Sequence, residues 1–412
     1  MRIVKIGLVG LGPRAETLLA SLFHMADEVE VVGVCDFKED RIRFIQSLFE
    51  KRGLKPPKGW TDHRAMADDP EIEALIASTS WNSHLTIARD AMARGKYCGF
   101  EVGGASSIDQ LWELVHAAES TGVSCMLMEN DCYGREEMLA ANMARLGLFG
   151  EIIYCQCGYE HDLSDDIANF DKGERSIHNL RRCGDLYPTH GLGPMAKILG
   201  INRGNRFVSL ASFGTKCRGF KNAAKKRNPD FDEEFNEPDV INTCIKCANG
   251  EMVMLTHGVA LPRPYSRDQR LQGTKGIWLE ERRGIFIQGI SKTVTRIDAA
   301  GNPYQEHLWD NIEDYFEKYD HPIWKDYRNS QIGEHGGRDA LTLRAFLDSV
   351  RNHTPTPIDV YDCAAWMAVT ALSEQSLALG GQPVPFPDFT NGKWIYKTPA
   401  VRGYWSLDAQ EE

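Results

Sequence analysis

The residues of this sequence best suited to chemistry are Gly10, Gly12 and Asp36 near the amino terminus. Gly10-Leu11-Gly12-Pro13-Arg14-Ala15 follows a β-branched run at 2–9, which places G-x-G-x-x-A at the end of an expected strand. Gly10 suits a tight turn, Gly12 lets backbone approach a pyrophosphate, and Ala15 allows a helix to pack close to the strand. The first turn of that helix then offers unpaired N–H groups to phosphates. Asp36 closes the second expected strand, 24 residues after Gly12, where a carboxylate meets a ribose 2′-hydroxyl and repels a 2′-phosphate. The pattern predicts dinucleotide binding with NAD preferred over NADP, and Lys38 and Arg41 are the nearby cations that could offset that preference.

Holding these groups requires a scaffold, and its elements are readable. Strand-like runs at 29–35, 72–77, 97–101 and 124–128 alternate with helical runs at 15–25, 39–51, 84–94 and 108–121. This alternation predicts an α/β fold with a Rossmann-type, doubly wound parallel sheet. After a helix at 136–146 the grammar changes to strand-like runs at 151–160, 206–213, 240–247, 252–258 and 277–288, with few helices between them. The expected second domain is α+β with a largely antiparallel sheet, so the boundaries are 1–135 and 136–412. Residues 219–238 read as an inserted loop, 304–327 as irregular, 341–350 and 362–378 as helices, and the tail from 380 as extended.

Composition narrows the partners. The chain has 412 residues with 47 Lys and Arg against 58 Asp and Glu, a net charge of −11 that argues against a phosphate-backbone binder. The longest basic run, Lys225-Lys226-Arg227, precedes Asp230, Asp232, Glu233 and Glu234 and reads as a solvated loop. No window approaches the roughly 20 apolar residues of a bilayer span. Residues 1–12 read as a strand rather than a signal peptide, because the apolar part is short and no Ala-x-Ala site follows. A cytoplasmic protein with no nucleic-acid and no membrane partner is expected. The 11 cysteines lack the spacing of a secreted scaffold, and Cys244 and Cys247 on one strand would point to opposite faces, so thiols rather than a zinc site are expected and no metal is assigned.

More specific pieces follow. Asp69-Pro70-Glu71-Ile72-Glu73-Ala74-Leu75-Ile76, Asn82-x-His84 opening a helix, and Gly95-Lys96-Tyr97 before Glu101 resemble the nucleotide-binding half of the Gfo/Idh/MocA oxidoreductases. Those dehydrogenases continue Glu-Lys-Pro with a proton-transferring lysine, where this chain reads Glu101-Val102-Gly103. The segment Gly184-Asp185-Leu186-Tyr187-Pro188-Thr189-His190-Gly191-Leu192-Gly193-Pro194 resembles the signature of glycoside hydrolase family 109, NAD-dependent α-N-acetylgalactosaminidases on the same two-domain fold. Met128-Glu129-Asn130, Phe149-Gly150-Glu151 before Tyr159, Arg175, Pro264-Tyr265-Ser266-Arg267 and His335-Gly336-Gly337 before Asp339 extend the likeness to about residue 380. The family also lacks the lysine, although it usually has Pro where this chain has Gly103.

The resemblance implies a redox-neutral glycosidase: NAD⁺ takes hydride from sugar C3, a base removes the acidified C2 proton, the C1 substituent is eliminated, water adds, and the hydride returns. It implies Tyr187 and His190 as catalytic residues that handle protons, the plainer readings being a core aromatic and a histidine held by backbone at a helix end, and Tyr159, Arg175, Tyr187 and Tyr265 as substrate contacts. For NAD it implies Gly10, Gly12, Pro13, Arg14, Asp36, Trp81, Asn82, Ser83, His84, Glu101, Val102, Asn130, Tyr187, Pro188, Thr189 and His190. His84 could equally be pinned by its own backbone, and His161 and His257 are assigned with the remaining histidines to surface or core. The expected partner is a small-molecule glycoside, with homo-oligomerisation through the C-terminal sheet. The alternatives are an NAD-dependent sugar or cyclitol dehydrogenase and a sugar sensor that binds NAD without turnover.

Overall fold

The computed structural model describes residues 2–171, 173–327, 332–333 and 335–408. The chain divides into two compact units, one of Met1–Tyr133, Tyr327–Ala371 and Asp388–Glu412, the other of Gly134–Asp326 and Leu372–Pro387. The segments Tyr327–Ala371 and Asp388–Glu412, which a single boundary at 135 assigns to the second domain, therefore cluster with the first. Periodicity reveals that a helix such as the one at 341–350 has a buried face, but not which sheet the face covers.

The first unit is built on β1 (Val4–Val9), β2 (Val29–Cys35), β3 (Lys58–Trp60), β4 (Ala74–Ala77), β5 (Tyr97–Phe100) and β6 (Cys125–Leu127). They form a six-stranded sheet in the order 3-2-1-4-5-6, every pairing parallel. The helices α1 (Pro13–Phe23), α2 (Glu39–Glu50), α3 (His63–Ala67), α4 (Trp81–Met92) and α5 (Ile108–Thr121) connect them. Ile6, Leu8, Leu75 and Ile76 are wholly or almost wholly buried, as expected of parallel strands covered on both faces. The strand order reverses between β1 and β4, and such a switch point is where doubly wound sheets bind ligands. There the Ser78 hydroxyl donates to the Gly10 carbonyl at 2.9 Å.

In the second unit, α6 (Arg135–Arg145) leads to β7 (Ile152–Glu160), then α7 (Ser164–Ile167), α8 (Arg175–Arg181) and α9 (Thr189–Ile198). After β8 (Phe207–Gly214) and α10 (Gly219–Arg227) come β9 (Ile241–Cys247), β10 (Met252–Gly258), β11 (Arg270–Gly273), β12 (Gly276–Leu279) and β13 (Gly284–Ile287). A two-stranded ribbon of β14 (Thr293–Ile297) and β15 (Pro303–His307), then β16 (Asp310–Asn311), α11 (Glu313–Tyr319) and, later, β17 (Val384–Pro385) complete it. The nine-stranded sheet runs 16-13-12-11-7-10-9-8-17 and is antiparallel except where β7 pairs with β10. The cysteines are free thiols. Among the described residues no helix is long and apolar enough to cross a membrane.

Local readings change in three places. The run 277–288 is a hairpin rather than one strand, because Glu280-Glu281-Arg282-Arg283 turns, with Arg283 at φ 49° and its N–H on the Glu280 carbonyl at 2.7 Å. The expected loop 219–238 contains α10, whose Phe220, Ala223 and Ala224 are buried. Its first N–H groups are capped from outside by Asp239, which accepts from Arg218 N at 2.8 Å and Gly219 N at 2.9 Å. Lys225, Lys226 and Arg227 are solvated, but on the last helical turn, where the dipole favours cations. Residues 304–327 are not irregular either: they hold β15, β16, α11 and α12 (Pro322–Tyr327). Of the tail, β17 pairs with β8 and residues 409–412 lie outside the described ones.

Candidate active site

In the first unit, Gly10 takes φ 80°, and a Cβ there would meet backbone of Ser78 and Thr79 at under 3 Å, so only glycine closes this turn. A Cβ on Gly12 would instead enter open space, which leaves the start of α1 approachable by a ligand. Gly12 is the α1 N-cap and gives no side-chain cap, so the first-turn N–H groups face that space. The Asp36 carboxylate is held by two backbone donors, Leu11 N at 2.8 Å and Lys38 N at 2.9 Å. Arg41 donates to the Leu11 carbonyl and, at 2.5 Å, to Glu16. Those bonds direct this cation to the turn and to Glu16, whereas its sequence position alone suggested a counterion for a 2′-phosphate. The donor set therefore fits a dinucleotide.

Arg14 bridges two carboxylates. Its Nε donates to Glu101 at 2.8 Å, and its Nη1 and Nη2 donate to Asp339 at 2.7 and 3.0 Å. Asn130 and His335 also reach Asp339, at 2.6 and 2.9 Å. Burial opposes charge on Asp339, but the bonds from His335, Arg14 and Asn130 outweigh it and hold the carboxyl well below its usual range. Trp81, Asn82, Ser83 and His84 form the first turn of α4. His84 is buried and its Nε2 bonds the Thr79 carbonyl at 3.0 Å, so the plainer reading of this histidine describes its geometry. Gly103 takes φ 150°, and a Cβ there would fall within 2.5 Å of the Trp81 ring, so the position excludes proline.

The second unit gathers the proton-handling candidates. Tyr159 ends β7, and its ring lies 4.5 Å from that of Tyr187, 5.5 Å from His190 and 6.0 Å from Tyr265. Tyr187 and His190 meet edge to face at 5.0 Å. The Arg175 guanidinium, from the first residue of α8, sits 5.0 Å from the Tyr187 ring centre, and its N–H groups donate to the phenols of Tyr187 and Tyr159. Tyr187 and Tyr159 are buried, His190 is half-buried and Tyr265 is 44% exposed, so the cluster has a wet end and a dry end.

Backbone contacts explain how these side chains meet. Gly191 approaches Gly158 so closely that a Cβ would lie 2.5 Å from the Gly158 nitrogen, which seats α9 directly on β7 and brings His190 to Tyr159. An antiparallel bridge between Glu160 and Ser266, with N–H to O distances of 3.0 and 2.9 Å, sets Tyr265 beside the same ring. Buried Asp185 accepts the Tyr187 N–H on its carboxylate at 3.1 Å and donates its own backbone N–H to the Ser373 hydroxyl oxygen at 2.8 Å. Burial pushes the Asp185 carboxyl up to about 6, against the pull of His257. His257, paired in register with Tyr159, is buried with its Nδ1 3.1 Å from the Glu237 carboxylate. Burial lowers the His257 pKa and raises that of Glu237.

Asp185, which the sequence offers only as part of the Gly184 to Pro194 segment, thus anchors the Tyr187 backbone. His161, assigned to surface or core, instead joins the cluster, its ring 5.2 Å from Tyr265 and 6.2 Å from Tyr159. The signal for it was present, since His161 follows Tyr159 at the two-residue strand period. Asp339 had a signal too, four residues after His335 at a helix start, but its partners are distant in sequence.

Comparison with known proteins agrees with both halves. Residues 133–396 match the family described as "Glycosyl hydrolase 109, C-terminal domain", and residues 4–129 match "Oxidoreductase family, NAD-binding Rossmann fold". An alpha-N-acetylgalactosaminidase of Tannerella forsythia is 37% identical, across 96% of this chain and 88% of its own length. Among solved structures, an NAD binding oxidoreductase from Klebsiella pneumoniae superposes with a TM-score of 0.70 at 16% identity, covering 93% of this chain and 99% of its own. A scyllo-inositol dehydrogenase from Lactobacillus casei, solved with NAD(H) and scyllo-inositol, does so with a TM-score of 0.64 at 14% identity, covering 93% and 99%. The amino-terminal fold is that of the nicotinamide-dependent oxidoreductases. With its carboxy-terminal two thirds matched to one family, and a glycosyl hydrolase family 109 protein of Parabacteroides distasonis 36% identical across 96% of this chain and 89% of its own length, the chain belongs to glycosyl hydrolase family 109.

Proposed function

We propose that the protein is an NAD-dependent glycosidase acting on N-acetylgalactosaminides or closely related hexosides. The observation that carries this reading is the Tyr159, Tyr187, His190 and Arg175 cluster: two phenols and an imidazole within one aromatic shell, with a guanidinium donating to both phenols. NAD⁺ is preferred over NADP⁺ because the oriented Asp36 carboxylate repels a 2′-phosphate and Arg41 is engaged by Leu11 and Glu16. When bound, NAD⁺ would supply a reversible hydride acceptor for sugar C3, which makes the overall reaction redox neutral.

The chain's own residues do the rest. The Tyr187 hydroxyl and the His190 imidazole hold and move the protons at C3, at C2 and at the leaving oxygen. Arg175 fixes the direction of the phenol oxygens, and Tyr159 and Tyr265 present rings and hydroxyls to a neutral sugar. Val102, where dehydrogenases of this fold carry lysine, removes the acid/base group a dehydrogenase reading would require. We also propose that a second copy of the chain packs on the sheet of the second unit. There Ala211, Cys244, Met254, Gln156 and Arg270 stand in register and half-buried, and light scattering would test it.

The deciding experiment incubates the protein with aryl N-acetylgalactosaminides and other aryl hexosides in deuterated water. Phenol release with deuterium at C2 and no accumulating NADH is expected. Stoichiometric NADH without phenol would favour a dehydrogenase, and a His190→Ala variant of full activity would remove the role given to that residue.

A further inference from the structure

Asp339, 1% exposed at the start of α13 (Arg338–Asn352), receives four hydrogen bonds from three residues. Arg14 supplies two, at 2.7 and 3.0 Å, Asn130 one at 2.6 Å and His335 one at 2.9 Å. The Arg14 Nε donates to Glu101 at 2.8 Å. The partners of Asp339 come from the first turn of α1, the segment after β6 and the approach to α13, and Arg14 extends the set to Glu101 just past β5, so one carboxylate gathers distant stretches of the first unit.

We propose that Asp339 is the positioning residue of the dinucleotide site, fixing Arg14 and, through it, the glycine-rich turn and Glu101 in the geometry that receives the cofactor. A bidentate carboxylate sets both the position and the plane of a guanidinium, which a single hydrogen bond does not. Arg14 faces two carboxylates, so its charge is already matched within the protein. Its value to the ligand is therefore the shape it imposes on the turn, and the α1 N–H groups would be the donors for the phosphates. Ordering the turn before the ligand arrives strengthens binding by removing that cost from association.

The inference rests on the NAD-binding reading, and its test separates the two. Wild type, Asp339→Asn, Arg14→Met and the double variant are compared for dinucleotide retained through gel filtration, for NAD⁺ affinity of the stripped protein by fluorescence titration, and for melting temperature. Asp339→Asn is expected to raise the NAD⁺ Kd at least tenfold, and adding it to Arg14→Met to change Kd less than twofold further, since both act through the same group. A Kd for Asp339→Asn within twofold of wild type, with or without a lower melting temperature, overturns the proposal. So do losses that multiply in the double variant. If Asp339→Asn does not fold, Arg14→Lys serves instead: it keeps the charge, cannot span both carboxylates, and should weaken NAD⁺ at least fivefold, while wild-type affinity would again overturn the role. Wild type that binds no NAD⁺ would sink the cofactor reading itself.

Discussion

Gly191→Ala isolates the contact that seats the catalytic helix. A Cβ at Gly191 would lie 2.5 Å from the nitrogen and 2.7 Å from the oxygen of Gly158, where ordinary contact begins near 3.4 Å, so α9 and β7 must separate by about 3.4 − 2.5 = 0.9 Å. Both neighbours are backbone, and the strand is hydrogen-bonded on either side, so no flexible side chain can yield. Overpacking of this kind costs about 1–3 kcal/mol, while alanine in a helix regains about 1 kcal/mol over glycine. The net change in stability is therefore about 0–2 kcal/mol, a modest fall in melting temperature. Activity should suffer far more, because a displacement near 1 Å carries Tyr187 and His190 away from Tyr159, and misplacement on that scale costs about 10²-fold in rate. Phenol release from an aryl glycoside, measured beside thermal unfolding and NAD⁺ affinity, distinguishes the two effects. A Gly191→Ala protein with wild-type kcat would refute the close-approach argument.

Other consequences concern pH and cofactor choice. Asp185→Asn keeps an acceptor for the Tyr187 N–H but removes a carboxyl whose folded pKa of about 6 exceeds its ordinary 3.8. The unfolded chain releases that proton first, so wild-type stability falls as pH rises from about 4 to 6 and the variant's relative advantage should grow across that window, on the order of 3 kcal/mol; parallel denaturation curves at pH 4 and 7 would contradict it. His321 has the opposite sign. Burial, with Arg145 beside it, lowers its pKa to about 4, so the unfolded chain binds a proton first and stability is lost as pH falls from 6.5 to 4. His321→Asn, which keeps an acceptor for the Ile323 N–H, should flatten that acid limb in urea titrations. Asp36→Ser should cut the preference for NAD⁺ over NADP⁺ at least tenfold by titration with each, and an unchanged ratio would show that the carboxylate does not set it.

Much of the first unit was legible because its signals are local. Gly10, Gly12 and Ala15 act within one turn, and Asp36 sits at a strand end set by a β-branched run, so periodicity placed them correctly. The hairpin at 280–283 and helix α10 were misread for local reasons too: charged residues can turn a chain or coat a helix, and α10 depends on a cap from Asp239, which lies 20 residues after Gly219. Gly103 looked like an unexplained departure until the Trp81 ring was found against it.

The sequence by itself determined the alternation of strands and helices, the dinucleotide turn, the kinship carried by Tyr187 to Pro194, and hence the class of chemistry. These depend on residue order over short spans, where backbone preference and side-chain period act directly. Only the tertiary structure decided that Arg41 is taken up by Leu11 and Glu16, that His161 joins Tyr159 and Tyr265, that Asp185 anchors Tyr187, and that Asp339 closes on Arg14. Arg14 and Asp339 are 325 residues apart in the chain, and a contact of that separation exists only after the sheet and its helices have packed.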